Sequence, residues 1–356
     1  MPYKNMNRWS SEKANNWYKK QGWIAGINFI PSNAVNQLEM WQQETFDQKT
    51  IDRELGYAEK LGFNAARVFL HNLLWEQDPE GFVKRIEAYL KIADKRGIKT
   101  MFVLLDGVWN PFPRLGKQPE PLPYIHNSGW VQSAGAEYLR DESRHPLIES
   151  YVKGIVKHFA DDRRILMWDI FNEPNNPNRG YIGKEIVNKE KAAFRLLAKA
   201  FSWARDAKPS QPITAGVWGS MLFGIIWKKR INQFMLANSD AITFHSYRSA
   251  GKLEKEILYL KKFKRPVICT EYMGRPYSTF ETCMPVFKKH NTGCFSWGLV
   301  SGKTQTIYPW SSWALRQKKE PTVWFHDILR KDGTAFNEKE VEFIKNFTKK
   351  TSHHII

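Results

Sequence analysis

The chain has 356 residues, room for one large barrel or two smaller domains, and is 42% hydrophobic and 14% aromatic. Its 54 Lys and Arg against 36 Asp and Glu give a net charge of +18. The cations are spread along predicted helices, as at Lys191, Lys199, Lys228, Lys229, Lys255, Lys261 and Lys262, with no finger, homeodomain-like or RNA-binding aromatic motif beside them, which argues against a nucleic-acid partner.

Residues 1–22 read as a polar N-terminal extension without an apolar leader core. That leaves two locations open: the cytoplasm, or secretion or export to the periplasm with the leader absent. The first strand is predicted at 23–29, followed by a long loop and a helix at 50–61. Strand two is 65–70 with a helix at 80–96, where Phe82, Ile86, Tyr89, Leu90 and Ala93 recur at helical spacing. Strand three is 99–105 with its helix at 146–160, and strand four is 165–170 with a helix at 184–207. Strand five is 213–215 with a helix at 228–238, and strand six is 241–244 with a helix at 253–263. Strand seven is 267–269 with a helix at 280–289, and strand eight is 293–299 with closing helices at 322–329 and 338–349. Eight such cycles predict an α/β fold, a single (β/α)8 TIM barrel over 23–350 with a tail at 351–356.

Three loops after strands are long and rich in Trp, Pro, Gly and Asn: 31–49, 107–145 and 300–321. Long loops on one rim are usually binding loops, and tall walls suggest a pocket suited to chain ends or short oligosaccharides. Fifteen Trp exceed what a core of this size needs, and sugar clefts are one use for the surplus. Cys269, Cys283 and Cys294 are too few for a disulfide framework, and no metal-ligand spacing occurs. No apolar run reaches the about 18 residues of a membrane span.

Two glutamates carry the chemistry. Glu173 follows the apolar run Ile165-Leu166-Met167-Trp168-Asp169-Ile170-Phe171-Asn172, and Glu271 follows Pro266-Val267-Ile268-Cys269-Thr270. Each run reads as a buried parallel strand, so each carboxyl is expected at the C-terminal mouth of the barrel, where such folds keep their active sites. Two carboxyls at one mouth suit glycosidic bond cleavage, with one proton donor and one nucleophile or base.

With these motifs the chain resembles the retaining β-glycosidases of glycoside hydrolase clan A and is most similar to family 5, the cellulase and mannanase group. The residues that carry the resemblance are Arg67 after Asn64-Ala65-Ala66, Trp168-Asp169-Ile170-Phe171-Asn172-Glu173-Pro174, His245-Ser246-Tyr247, Glu271 and Trp297, and it covers about 23–329. The resemblance implies Glu173 as general acid/base and Glu271 as nucleophile, ionised beside Arg67 and a tyrosine hydroxyl, Tyr247. It implies Asn172 on the sugar 2-hydroxyl, His245 tuning the acid/base, Trp297 as platform for the reacting sugar, and neither metal nor organic cofactor. Singly, Arg67 reads equally as an ion-pair partner and His245 as a core histidine.

Two departures from the family bear on substrate. Where many members carry a histidine, the end of strand three reads Leu104-Leu105-Asp106-Gly107-Val108-Trp109. Gly26-Ile27-Asn28-Phe29-Ile30-Pro31 resembles the barrel of family 2 β-mannosidases and β-galactosidases, without their preceding β-sandwich domains. Asp106, Trp109, Glu39, Trp41, His71, Trp75, Lys303 and Trp310 are further candidates for the pocket. The expected activity is double displacement on a β-linked hexoside, a β-mannoside or β-glucoside, with an oligosaccharide or polysaccharide as partner. Endo-mannanase, endo-glucanase, furanosidase, transglycosylase and a non-catalytic carbohydrate-binding barrel remain open, as does the oligomeric state.

Overall fold

The computed structural model describes residues 7–219 and 229–349. The predicted tail at 351–356 and Lys228, the first residue of the helix predicted at 228–238, lie outside them. Eight parallel strands form the barrel: β1 (Ala25–Asn28), β2 (Ala65–Phe69), β3 (Lys99–Asp106), β4 (Ile165–Asn172), β5 (Ile213–Thr214), β6 (Ile242–His245), β7 (Val267–Tyr272) and β8 (Gly293–Trp297). The hydrogen-bonded order is β5-β4-β3-β2-β1-β8-β7-β6. A parallel bridge, Val217↔Phe244, joins the two ends. The ring is therefore nearly closed, a (β/α)8 TIM barrel.

The strands lack polar alternation because both of their faces are buried, one against helices and one inside the barrel. All eight residues of β4 are buried. Ile24, Ala65, Met101, Met167, Ala241, Ile268 and Phe295 form one buried apolar cluster with Tyr18. Tyr18 belongs to the helix Ser11–Gln21, into which half of the N-terminal extension folds. Arg8 anchors this segment, donating to the Ser239 carbonyl at 2.6 Å and the Leu236 carbonyl at 2.9 Å. Nearer the strand ends the interior turns polar, with Asn28, Arg67, Asp169 and Thr270 all buried.

Helix starts are written locally. Asp47 accepts from Lys49 N and Thr50 N before Gln48–Lys60, and Asp78 accepts from Gly81 N before Pro79–Lys95, which carries Pro79 in its first turn. Two expected helices differ. The one predicted from 184 begins at Lys189, because Asn188 is left-handed at φ 60° and breaks the helical path before it. Residues 322–329 form no helix; their backbone is held by bridges Val300↔Leu329 and Leu329↔Ala335 instead. Among the described residues no helix is long and apolar enough to cross a membrane.

The loop 31–49 packs onto the barrel wall and contains the helix Gln37–Trp41. Trp41 is fully buried, edge-on to Phe82 and Tyr89 and stacked on Phe46, and its indole N–H donates to the Phe69 carbonyl at 2.9 Å. It is a packing residue, so the sequence expectation for it is corrected. Trp41→Ala is expected to lower stability by about 3–5 kcal/mol in urea unfolding while leaving KM unchanged.

Candidate active site

A cavity of about 990 Å3 opens at the C-terminal mouth of the barrel. Strand ends deliver its chemistry: Asp106 from β3, Asn172 from β4, His245 from β6, Glu271 from β7 and Trp297 from β8. Parallel register sets their levels, with Asp106 opposite Asn172 and His245 opposite Glu271. Glu173 is the first residue past β4 and has a left-handed backbone at φ 41°. Such a conformation before a proline costs of order 1–3 kcal/mol and typically marks functional sites. Gly107 makes room for this turn, since a Cβ there would lie 2.4 Å from the Glu173 carbonyl oxygen.

Arg67 lies beneath the carboxyls, and all five of its N–H donors are used. Nε and Nη2 donate to Asp169 Oδ2 at 3.1 and 2.8 Å, and Nη2 also donates to Asn172 Oδ1 at 2.7 Å. Nη1 donates to Asn28 Oδ1 at 2.8 Å and to Glu271 Oε1 at 2.9 Å. Burial works against the guanidinium charge, but Asp169 and Glu271 outweigh it and raise its pKa. Asn172, with its Oδ1 held by Arg67, donates from Nδ2 to Asp106 Oδ1 at 2.9 Å. Asp106 also receives the Trp130 indole N–H at 2.7 Å, and burial pushes its carboxyl up to about 7 against these donors.

Glu173 and Glu271 are held differently. A carboxyl oxygen of each and a ring nitrogen of His245 all lie within 4.8 Å of one another. Glu271 takes the Arg67 ion pair and the Tyr247 hydroxyl, which donates to Oε2 at 2.9 Å. Burial raises the Tyr247 phenol well above its ordinary pKa, so it stays a donor. Glu173 is held by neutral groups: Asn176 donates to Oε2 at 2.6 Å, and Oε1 shares a hydrogen bond with His245 Nδ1 at 2.7 Å. Burial pushes Glu173 up to about 7. Burial also raises Glu271, but the direct contact with the Arg67 guanidinium opposes it and makes Glu271 the more acidic of the two. His245, pulled down to about 4 by burial, is neutral at neutral pH. The two carboxyls are therefore unequal, and Glu173 has the higher affinity for a proton. Glu173, His245 and Glu271 would also suffice as three ligands for a cation, but Arg67 already supplies the positive charge at Glu271.

Aromatic loops build the walls. Trp109 stacks on Trp313 with ring centroids 5.1 Å apart, and Trp310 meets Tyr247 edge-on at 4.8 Å. The third and eighth loops are stitched together. Asn127 N donates to the Thr304 carbonyl at 2.8 Å, His126 N to Ser312 Oγ at 3.0 Å, and Trp313 Nε1 to the His126 carbonyl at 2.8 Å. These bonds join the two loops into one wall of the pocket. Trp218 also lines it, and its N–H donates to Asn175 Oδ1 at 2.8 Å.

Of the residues singled out from sequence, Glu173, Glu271, Asn172, His245, Tyr247, Trp297, Asp106, Trp109 and Trp310 line this cavity, with Arg67 directly beneath it. His71, Trp75, Lys303 and Glu39 do not, which corrects those expectations. His71 is fully buried, bonded to the Gln132 carbonyl at 2.9 Å and capping the helix Asn72–Gln77. Trp75 packs against Gly154 and donates to Ser150 Oγ at 3.2 Å. Lys303 is taken up by Glu39 at 2.7 Å. Sequence reasoning missed Asn176, Asn178, Trp218, Trp313, His126, Trp130 and His326 in the lining. Trp218 had a signal, since it lies just past β5; His326 was hidden in the segment read as a helix.

Residues 25–303 match the cellulase family, glycosyl hydrolase family 5. No curated protein sequence matches the chain. Among solved structures it is similar to the endo-β-1,4-mannanase from Thermotoga petrophila, at 15% identity over 93% of this chain and 78% of that one, with a TM-score of 0.58. It is also similar to the endo-1,4-β-mannanase from Rhizomucor miehei, at 14% identity over 92% and 98%, with a TM-score of 0.59. A third is the exo-β-1,4-mannosidase from Opitutaceae bacterium strain TAV5, at 15% identity over 92% and 59%, with a TM-score of 0.61. At these identities the likeness is one of fold.

Replacing Arg67 by Met leaves Asp169 and Glu271 buried without their cation, so Arg67→Met is expected to cost about 3–5 kcal/mol at neutral pH. Without Arg67 the Glu271 carboxyl, already raised by burial, titrates still higher in the folded state than in the unfolded one, which lowers stability at higher pH. Urea unfolding across pH checks this: the deficit against wild type should shrink as pH falls.

Proposed function

The chain belongs to glycosyl hydrolase family 5, a family of retaining glycoside hydrolases, and we propose that it removes a β-linked hexose, a β-mannose or β-glucose, from the end of an oligosaccharide. The observation that carries this reading is the unequal carboxyl pair, within 4.8 Å of each other, of which Glu271 is the one ion-paired with Arg67. Retaining enzymes hold their carboxyls about 5–5.5 Å apart, leaving no room for the water that an inverting enzyme needs between base and sugar.

In the first step Glu271 attacks the anomeric carbon while Glu173 gives its proton to the glycosidic oxygen. Forming the ester removes the Glu271 charge, so the field that kept Glu173 protonated weakens. Glu173 becomes a base and takes a proton from the water that attacks the anomeric carbon and frees Glu271. Asn172 is oriented by Arg67 and Asp106, which suits it to meet the sugar 2-hydroxyl. His245 holds the Glu173 carboxyl in place, and Trp297 serves as the platform for the reacting sugar.

Exo action is supported by the loops. The leaving group must lie on the Glu173 side, because its oxygen receives the proton there. The third and eighth loops, hydrogen-bonded to each other, wall the pocket, which suits it to a chain end. Solved mannanases and a mannosidase of similar fold favour mannose, and a structure described as a β-glucosidase keeps glucose in view.

A panel of 4-nitrophenyl β-mannoside, β-glucoside and furanosides tests the reading, followed by a manno-oligosaccharide. Only the terminal sugar should be released, and NMR should show the β-anomer first. A spread of products would point to endo action, and the α-anomer would overturn retention. Glu271→Ala should abolish turnover, and Glu173→Gln should cost about 10²–10⁴-fold with a poor leaving group and far less with dinitrophenol. Because the acid must hold its proton, kcat/KM should fall above about pH 7 as Glu173 ionises. Glu173→Gln should lose that limb of the profile.

A further inference from the structure

Behind Trp297 lies a second, smaller cavity of about 20 Å3, room for one hydroxyl-sized group. It shares Asn127, Trp130 and Trp297 with the main pocket, so it is a side chamber of that pocket. Two polar groups in its lining are unspent. Asn127 is 2% exposed, and its Oδ1 is buried without a hydrogen-bond partner among the described residues. Asp327 is 1% exposed; its Oδ2 accepts from Thr306 at 2.8 Å, and no described hydrogen bond reaches its Oδ1. Gly298, at φ 80°, lets that oxygen approach the wall, since a Cβ there would lie 2.4 Å from it.

A buried acceptor without a donor, as Asn127 Oδ1 is, costs about 1–3 kcal/mol. Among the described residues no lysine, arginine or histidine lines the chamber. Two acceptors with no cation in the lining call for a ligand that brings neutral O–H donors. Phe29, Phe69 and Trp130 in its walls would pack against carbon. A hexose edge carries both kinds of surface.

We propose that this chamber takes one hydroxyl from the edge of the terminal hexose remote from the scissile bond, at C4 or C6, between Asp327 and Asn127, and so selects the hexose. The inference rests on reading Glu173 and Glu271 as the catalytic pair. With the anomeric carbon between those carboxyls and the ring over Trp297, the far edge of the sugar points away from Glu173, toward the chamber mouth. An enzyme acting on chain ends must read that edge, because it is the edge at which a longer chain would continue or stop.

The test compares the best 4-nitrophenyl β-hexoside with its 4-deoxy and 6-deoxy analogues, using wild type, Asp327→Asn and Asn127→Ser. Wild type should lose about 10- to 100-fold in kcat/KM on at least one analogue. The variants should lose activity on the parent sugar and show at least about a tenfold smaller penalty for that deoxygenation. Equal penalties in all three proteins would overturn the proposal and leave the chamber to a structural water, with the glycosidase reading intact. Failure of wild type to cleave any glycoside would sink both. Circular dichroism confirms folding, and Asn127→Ser, which touches no ion pair, carries the comparison if Asp327→Asn does not fold.

Discussion

The buried guanidinium of Arg67 is the contact on which the mouth of the barrel depends. It reaches residues of β1, β4 and β7 with five hydrogen bonds. A cation in that position would be prohibitive without Asp169 and Glu271, and those two carboxylates would be prohibitive without it. The fork geometry also fixes direction: a lysine would supply the charge but could not orient Asn28, Asp169, Asn172 and Glu271 together. From this one side chain follow the lower proton affinity of Glu271 and the orientation of Asn172, and through Asn172 the bond to Asp106.

Glu173 escapes that cation's direct contact, and its chemistry follows from the escape. Burial raises its affinity for a proton while His245, itself neutral, positions the carboxyl without donating charge. The left-handed backbone at this residue turns the chain away from β4 at the point where the carboxyl is needed. The loop 107–145 crosses beside that turn, with Gly107 N bonded to the Asn172 carbonyl at 2.8 Å. Lys189 reinforces the crossing by donating to the Gly107 carbonyl at 2.7 Å. Backbone strain at Glu173 is thus supported by two neighbouring segments.

The fold was largely legible in the sequence because parallel strands buried on both faces read as unbroken apolar runs, and β4 is the clearest case. Glu173 and Glu271 were legible for the same reason, each standing where an apolar run stops. The aromatic loops gave a weaker signal. Trp41 and Trp75 look like Trp109 and Trp310 in sequence, yet the first two pack into the barrel wall and between helices while the last two face the cavity. Whether a loop tryptophan turns inward or outward is decided by what it packs against, and those partners are distant in the chain.

What the sequence determined by itself is the eight-fold alternation of strand and helix and the level at which two carboxyls emerge, because period and burial are local properties. Tertiary structure alone supplied the contact that lowers the proton affinity of Glu271, since Arg67 lies 2.9 Å from it but 204 positions away in the chain. It also decided the shape of the pocket, through hydrogen bonds between the third and eighth loops such as Asn127 to Thr304. Electrostatic fields and loop closure act through space, and their distances exist only once the barrel has brought its ends together.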